Sequence, residues 1–256
     1  MSYPGFDLSG TVALITGGNS GIGLGMAEGL AQVGAQVCVW GTNQAKNAAA
    51  LEKLQKHGQK ALAMQCDVGD EGQVEHCFAE TLKAFGRVDA CFANAGVPPL
   101  APSFVEMSTE EWRRVLRVNL DGAFFTFRAA ARHMVERGGG GSLVATSSLA
   151  SIEGQARGEN YAATKGGLVS MVKALAVELA RYGIRANAIV PGWIDTPMTG
   201  AVFGLEVFKD KVLRRVPMRR WGEPSDFAGI AIYLASAASA YHTGDTFVID
   251  GGYAIF

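Results

Sequence analysis

The stretch Val12-Ala13-Leu14-Ile15-Thr16-Gly17-Gly18-Asn19-Ser20-Gly21-Ile22-Gly23 decides the fold. Its first four residues form an unbroken apolar run, as in a strand buried on both faces. Met26, Ala27, Leu30, Ala31 and Val33 then recur at helical spacing up to Gly34. Glycines at 17, 21 and 23 let the backbone turn tightly and approach a pyrophosphate, whose charge suits the positive N-terminus of the helix that follows. A glycine cluster alone is only a turn, but a strand before it and a helix after it make a nucleotide-binding loop.

The rest of the chain repeats this alternation. Strands are expected over 12–16, 36–40, 61–66, 89–93, 142–146, 185–189 and 246–249, with helices in the gaps. Gly34, Gly58, Gly86 and Gly183 stand where helical patterns stop, and Ser108-Thr109-Glu110-Glu111 has the form of a capping box. Such alternation predicts a parallel sheet covered by helices on both faces, because parallel neighbours need crossover connections. Ligands of such sheets bind at the carboxyl ends of the strands, where the glycine loop, Asp67, Asn94 to Gly96, Ser147, Ser148 and Pro191-Gly192 all fall. Residues 138–141, all glycine, precede a strand directly and read as a turn rather than a phosphate loop.

Composition agrees with one α/β domain. The chain has 256 residues, 48% of them hydrophobic and 18% charged, enough for one large core. A net charge of -1 gives no electrostatic reason to expect nucleic acid or an anionic membrane as partner. The first ten residues lack a basic region followed by an apolar core, and no apolar run reaches the roughly 18 residues of a spanning helix, so a cytoplasmic protein is expected. Cys38, Cys66, Cys77 and Cys91 show no Cys-x-x-Cys spacing and read as buried free thiols. No histidines pair at ligand spacing, so no protein-bound metal is expected.

Tyr161 and Lys165 are four apart, which puts a phenol and an ammonium on one face of a helix. The charge favours phenolate and is expected to lower the tyrosine pKa toward the working pH of a proton carrier. Ser148, thirteen residues earlier, follows the apolar strand that would return its hydroxyl to the mouth of the same cleft. Together, a phenol and a hydroxyl supply the proton shuttle and the donor that an alcohol–ketone interconversion needs at its oxygen.

The ordered motifs Thr16-Gly17-x-x-x-Gly21-Ile22-Gly23, Asp67-Val68, Asn94-Ala95-Gly96, Asn119-Leu120-Asp121-Gly122, Ser148, Tyr161-x-x-x-Lys165 and Pro191-Gly192-Trp193-Ile194-Asp195-Thr196 resemble the short-chain dehydrogenase/reductases over nearly the whole chain. The resemblance implies a single-domain Rossmann-type doubly wound sheet of seven parallel strands, and an oxidoreductase that uses NAD or NADP. It implies Tyr161 as acid/base, Ser148 on the reacting oxygen, Lys165 on the cofactor ribose, and Asn119 in a kinked helix supporting a water-linked proton path. It implies cofactor contacts from Gly17, Asn19, Ser20, Gly21, Ile22, Gly23, Thr42, Asp67, Val68, Asn94, Ala95, Gly96, Pro191, Gly192, Ile194 and Thr196. Asp67 would accept from the adenine amino group, its plainer reading being a helix cap, and Val68 would pack on the ring. A homotetramer, or a dimer, packed through the long helices is implied as well.

Two departures stand out. Gly41 takes the place where NAD-specific relatives carry an aspartate, and Thr42 the place of the arginine of NADP-specific ones. A 2′-phosphate is then neither repelled nor gripped, which leans to NAD and leaves dual use open. In Phe92-Ala93-Asn94-Ala95-Gly96, Ala93 replaces the first of two asparagines, a loss expected to cost local hydrogen bonding rather than activity.

The segment 193–217 reads as a cover over the cleft, with Met198, Phe203, Leu205, Phe208 and Val212 as its apolar set; ordinary helix packing is the plainer reading. Arg157 is placed either to clamp a substrate carboxylate or as a solvated loop residue. Residues 25–32 and 220–226 are similar to those of gluconate and deoxygluconate dehydrogenases, which points to a sugar acid or polyol as substrate. A 3-oxoacyl-carrier-protein reductase and a reductase of cyclic or hydrophobic ketones are the alternatives. An enoyl reductase is disfavoured by its wider tyrosine-to-lysine spacing, and a non-catalytic nucleotide sensor by the intact Asn119, Ser148, Tyr161 and Lys165 set.

Overall fold

A computed structural model describes residues 4–200 and 206–256, with only the backbone of 206–210. In chain order its main elements are β1 (Val12–Thr16), α1 (Gly21–Gln32), β2 (Gln36–Gly41), α2 (Gln44–Gln55), β3 (Ala61–Gln65), α3 (Glu71–Phe85), β4 (Ala90–Ala93), α4 (Thr109–Leu116), a π-helical turn (Arg117–Asp121) and α5 (Gly122–Arg137). After these come β5 (Gly141–Thr146), α6 (Glu159–Leu179), β6 (Ile184–Pro191), α7 (Glu206–Arg215), α8 (Ala228–Ala235) and β7 (Thr246–Ile249). All seven strands are parallel, in the order β3-β2-β1-β4-β5-β6-β7, a Rossmann-type doubly wound sheet.

Strand periodicity splits the core into two layers. Leu14, Cys38, Trp40, Cys91, Leu143 and Ala145 face Phe78, Phe127, Met134, Leu168 and Val172 of α3, α5 and α6. Their neighbours Ala13, Ile15, Val37, Val39, Phe92 and Val144 face Met26 and Leu30 of α1 and Ala231 and Leu234 of α8. Burial on both sides is why these strands are apolar runs rather than alternating ones. Helix α1 lies close on α8 and the segment before it: a Cβ on Gly29 would run into Ala228, and one on Gly25 into the carbonyl of Pro224.

The expected strands are all present, with ends shifted by one or two residues. β6 runs on to Pro191, β2 includes Gly41, β3 stops at Gln65, and β4 starts after Asp89. The Asp89 carboxylate accepts from the Val12 amide at 2.9 Å and pairs with Arg87 and Arg137, tying the base of β4 to β1 and α5. Gly86 ends α3 in the left-handed region, φ 78°, donating to Leu82 O at 2.7 Å. Gly138, Gly139 and Gly140 are all left-handed and deliver the chain into β5 at Gly141, as a turn should.

Two local expectations are corrected. Only half of the capping box forms: Ser108 caps α4 by accepting from Glu111 N at 3.1 Å, but the Glu111 carboxylate turns to Arg114 and to the Leu100 amide. The cap of α3 is Asp70, which accepts from Gln73 N at 3.0 Å, so the plainer reading of Asp67 as a cap falls away. All four cysteines are free and buried. Among the described residues no helix is long and apolar enough to cross a membrane, and no cluster of His, Cys, Asp and Glu has metal-binding geometry.

Candidate active site

A cleft of about 500 Å³ opens at the carboxyl ends of the strands, beside the point where β1 and β4 diverge, within the ~300–1,000 Å³ range of small-molecule sites. Thr16 pins that point. Its buried Oγ1 accepts from the amides of Asn94 and Ala95, both at 3.0 Å, and the Asn94 side chain donates back to Thr16 O at 3.0 Å. Gly17 and Gly21 are left-handed, φ 64° and 51°, and a Cβ on Gly17 would come within 3.0 Å of Ala95 Cα. Gly17, Asn19, Ser20, Gly21, Ile22, Asn94, Ala95 and Gly96 line the cleft. Gly23 lies behind them, where a Cβ would strike Gly17 O, so its part is to let α1 sit close to the loop. Ser20 is the N-cap of α1 but its side chain makes no capping bond, so the first turn of the helix still has amides to offer an anion.

Asp67, Val68 and Thr42 line one end of this cleft. Asp67 accepts from Gly69 N at 2.9 Å and from Arg117 Nη1 at 2.9 Å, leaving further lone pairs toward the cleft. Arg117 and Lys46 also line this end, and neither stood out in the sequence. Arg117 meets Asp67 across fifty positions, so no local pattern marks it. Lys46 sits three residues after Asn43, the N-cap of α2, and that position in the first turn was the available signal.

The other end holds Ser148, Tyr161 and Lys165. Ser148 leaves β5 in extended conformation; its Oγ accepts from Ala150 N at 3.2 Å, and it lines the cleft together with Tyr161. Lys165, only 3% exposed, donates to Thr146 O at 2.7 Å and lies 5.4 Å from the centre of the Tyr161 ring. Ser147 Oγ donates to Lys165 O at 2.8 Å, locking α6 onto the end of β5. Thr146 Oγ1 is buried in this corner with no hydrogen-bond partner. Asn119 lies just outside the cleft, in the π-helical turn, where it accepts from Val97 N at 2.8 Å and donates to Val97 O at 3.0 Å. Its Oδ1 would be 3.3 Å, and Lys165 Nζ 3.7 Å, from a Cβ at Gly96, so both back onto the same bare backbone.

Burial pushes the Tyr161 phenol above its ordinary value, with the neighbouring Ser148 hydroxyl pulling the other way, and pushes Lys165 down to about 8. The expected lowering of Tyr161 by Lys165 is therefore overturned for the protein alone. Desolvation of both groups outweighs the attraction between their charged forms.

Pro191 at the end of β6 and Gly192, Ile194 and Thr196 after it line the cleft, joined by Pro197, Met198 and Thr199. Thr199 Oγ1 donates to Ile194 O at 2.6 Å and accepts from Thr196 N at 3.0 Å, which fixes the turn. Phe203 and Leu205 lie outside the described residues, as does the side chain of Phe208. Val212 is buried with Val216 against Leu149, Val190 and Tyr253, so the helix-packing reading holds for Val212. Arg157 is exposed, left-handed at φ 64°, and not among the residues lining the cleft, as a solvated loop arginine would be.

These residues fit a dinucleotide: a glycine-bared loop under an open helix N-terminus, with a phenol, a hydroxyl and an ammonium at the far end. A family model described as enoyl-(acyl carrier protein) reductase matches residues 17–254. L-rhamnose 1-dehydrogenase (NAD(P)(+)) of Azotobacter vinelandii is 37% identical, over 93% of this chain and 94% of its own. Gluconate 5-dehydrogenase of Gluconobacter oxydans is 36% identical over 98% of each. A crystal structure of a gluconate 5-dehydrogenase from Burkholderia cenocepacia, in complex with NADP and tartrate, superposes with a TM-score of 0.92 at 36% identity, covering 98% of both chains. The chain belongs to the short-chain dehydrogenase/reductase family, as an NAD(P)-dependent oxidoreductase acting on CH–OH groups.

Proposed function

We propose that the protein interconverts a secondary alcohol and a ketone on a sugar acid or polyol, with Tyr161, Ser148, Lys165 and Asn119 as its working set. The observation that carries this reading is the convergence of Ser148, Tyr161 and the buried Lys165 on one cleft that fits a dinucleotide, with Lys165 5.4 Å from the Tyr161 ring. When bound, the nicotinamide supplies or accepts the hydride. Tyr161 Oη gives its proton to the reacting oxygen in reduction and takes it in oxidation, while Ser148 Oγ donates to the same oxygen. Lys165, steadied by the Thr146 carbonyl, offers its remaining N–H donors to the cleft, and Asn119 holds the strand-end backbone at Gly96 and Val97 behind it.

The sugar-acid assignment draws on the gluconate and rhamnose relatives and on the polar residues Glu153, Gln155 and Glu159 in the segment leading to Tyr161. The described residues of the segment 193–217 are assigned to the cover of the substrate end, supported by Met198 and Thr199 in the cleft wall and by the anchoring of Val212 and Val216. A homotetramer or dimer is supported by the apolar side chains left exposed on the long helices, Phe124 and Val177, and on the edge strand and C-terminus, Val248, Ile255 and Phe256. The reading includes work in the cytoplasm, in keeping with four free thiols. The test is a screen of purified protein with NAD and NADP for absorbance change at 340 nm, against sugar acids, aldoses, polyols, cyclic alcohols and acyl-thioester ketones. Turnover confined to acyl thioesters or cyclic ketones would overturn the sugar-acid assignment.

A further inference from the structure

A nucleotide whose phosphates lie at the start of α1 and whose base reaches Asp67 and Val68 must set its adenosine ribose against the wall between them. That wall is the end of β2 and the start of α2: Gly41, Thr42, Asn43 and Lys46. Its composition is unusual. Gly41 has no side chain to offer, and the place such a side chain would take is already filled. A Cβ on Gly41 would collide with the Asn19 side-chain amide and come within 2.9 Å of Asn47 Oδ1. Asn19 Nδ2 donates to Asn47 Oδ1 at 2.7 Å. Asn47 in turn is buried and donates to Gly41 O at 2.9 Å and to Met64 O at 3.1 Å, so its own orientation is fixed by the ends of two strands. Asn47 is not part of the cleft lining.

We propose that Asn47 is the positioning residue for nucleotide selection in this chain: it holds the Asn19 amide over Gly41, keeps any residue-41 side chain out of the ribose wall, and leaves the ribose 2′ position to Thr42, Asn43 and Lys46. Such a wall carries no carboxylate to repel a 2′-phosphate. Lys46 is exposed and makes no ion pair among the described residues, so its ammonium is available to one. As a point charge it can hold a phosphate without the bidentate fork of an arginine. Selection at this end is then a property of three neutral residues that lock together, plus one lysine, rather than of the residue at the tip of β2.

The test measures binding of the fragments 2′,5′-ADP and 5′-AMP to the full chain by titration calorimetry, without substrate or turnover. Gly41→Ala should weaken both fragments about tenfold, because its Cβ evicts Asn19. In an Asn19→Gly background the same Gly41→Ala change should cost clearly less, Asn47 Oδ1 alone remaining close, and in an Asn47→Ala background it should alter affinity less than about twofold, since Asn19 is then no longer held in its way. Lys46→Gln should cost about tenfold for 2′,5′-ADP and leave 5′-AMP unchanged. Equal Gly41→Ala effects in all three backgrounds, or no effect in the parent, would overturn the lock. Equal loss of both fragments in Lys46→Gln would overturn the phosphate assignment. Should Asn47→Ala fail to fold, an Asn47→Ser variant, which keeps a hydroxyl at the same place but cannot reach Asn19 and both carbonyls together, takes its place in the cycle; a full Gly41→Ala penalty in that folded variant would overturn the role of Asn47.

Discussion

The side-chain amide of Asn119 makes both hydrogen bonds to the backbone of Val97, accepting from its N–H and donating to its C=O, as a neighbouring strand would. The loop after β4 is thereby paired at a place where no strand lies beside it, and the helix carrying Asn119 widens into a π-turn. Asn119→Ala strips Val97 of both partners in a largely dry setting. We expect a loss of about 1–3 kcal/mol in unfolding free energy and a fall in kcat larger than the rise in KM. Denaturant titration and steady-state rates check this; unchanged kcat in a folded variant would leave Asn119 with a structural role alone.

Tyr161→Phe keeps the ring and removes the proton. Nucleotide affinity should stay within a few-fold of the parent while turnover drops by about 10²–10⁴. Fluorescence titration with NADPH and initial rates separate the two effects, and near-parental rates would exclude Tyr161 as proton carrier.

The burial of Lys165 has a sign that can be read in stability. Its pKa is held at about 8 in the folded protein, below the ~10.4 of an exposed lysine. Between those values the unfolded chain binds the extra proton, so this residue makes the protein more stable as pH rises from about 8 to 10, by up to ~1.4 kcal/mol per pH unit, and less stable below that window. Tyr161, whose folded pKa is raised, acts in the opposite direction above the ordinary phenol value. Chemical unfolding of the nucleotide-free parent and of Lys165→Met from pH 7 to 10 should show the parent gaining stability on the variant as pH rises from about 8 to 10. Parallel curves would refute the depressed lysine.

Two glycines of similar sequence context should answer an added methyl oppositely. Gly25 in α1 faces the Pro224 carbonyl, whereas Gly229 in α8 has open space around its would-be Cβ. Gly25→Ala is expected to destabilise by about 1–3 kcal/mol through overpacking, and Gly229→Ala to stabilise by a few tenths to about 1 kcal/mol through helix propensity. Thermal unfolding midpoints of the two variants decide it.

The strands were legible because burial on both faces writes itself as runs such as 12–15 and 142–146, and the glycine loop because its strand and helix flank it in sequence. Tyr161 and Lys165 were legible as an i,i+4 pair on one helix. Asn47 was not: a polar residue in a helix reads as surface, and only the carbonyls of Gly41 and Met64 give it a reason to be inside. Arg117 was hidden for the same cause, its partner Asp67 being set by the sheet order. The direction of the Tyr161 pKa was misread because a charge neighbour is visible in a sequence and desolvation is not.

The strand order has a further bearing on how the chain is made. β1 pairs with β2 on one side and with β4 on the other, so while the nascent chain leaves the ribosome the Val12–Thr16 strand keeps one naked edge until Ala90–Ala93 has been translated. At about 5–20 residues per second that is a wait of several seconds for an apolar edge able to pair with a stranger. Thr16 Oγ1, which closes on the amides of Asn94 and Ala95, marks the moment when that exposure ends.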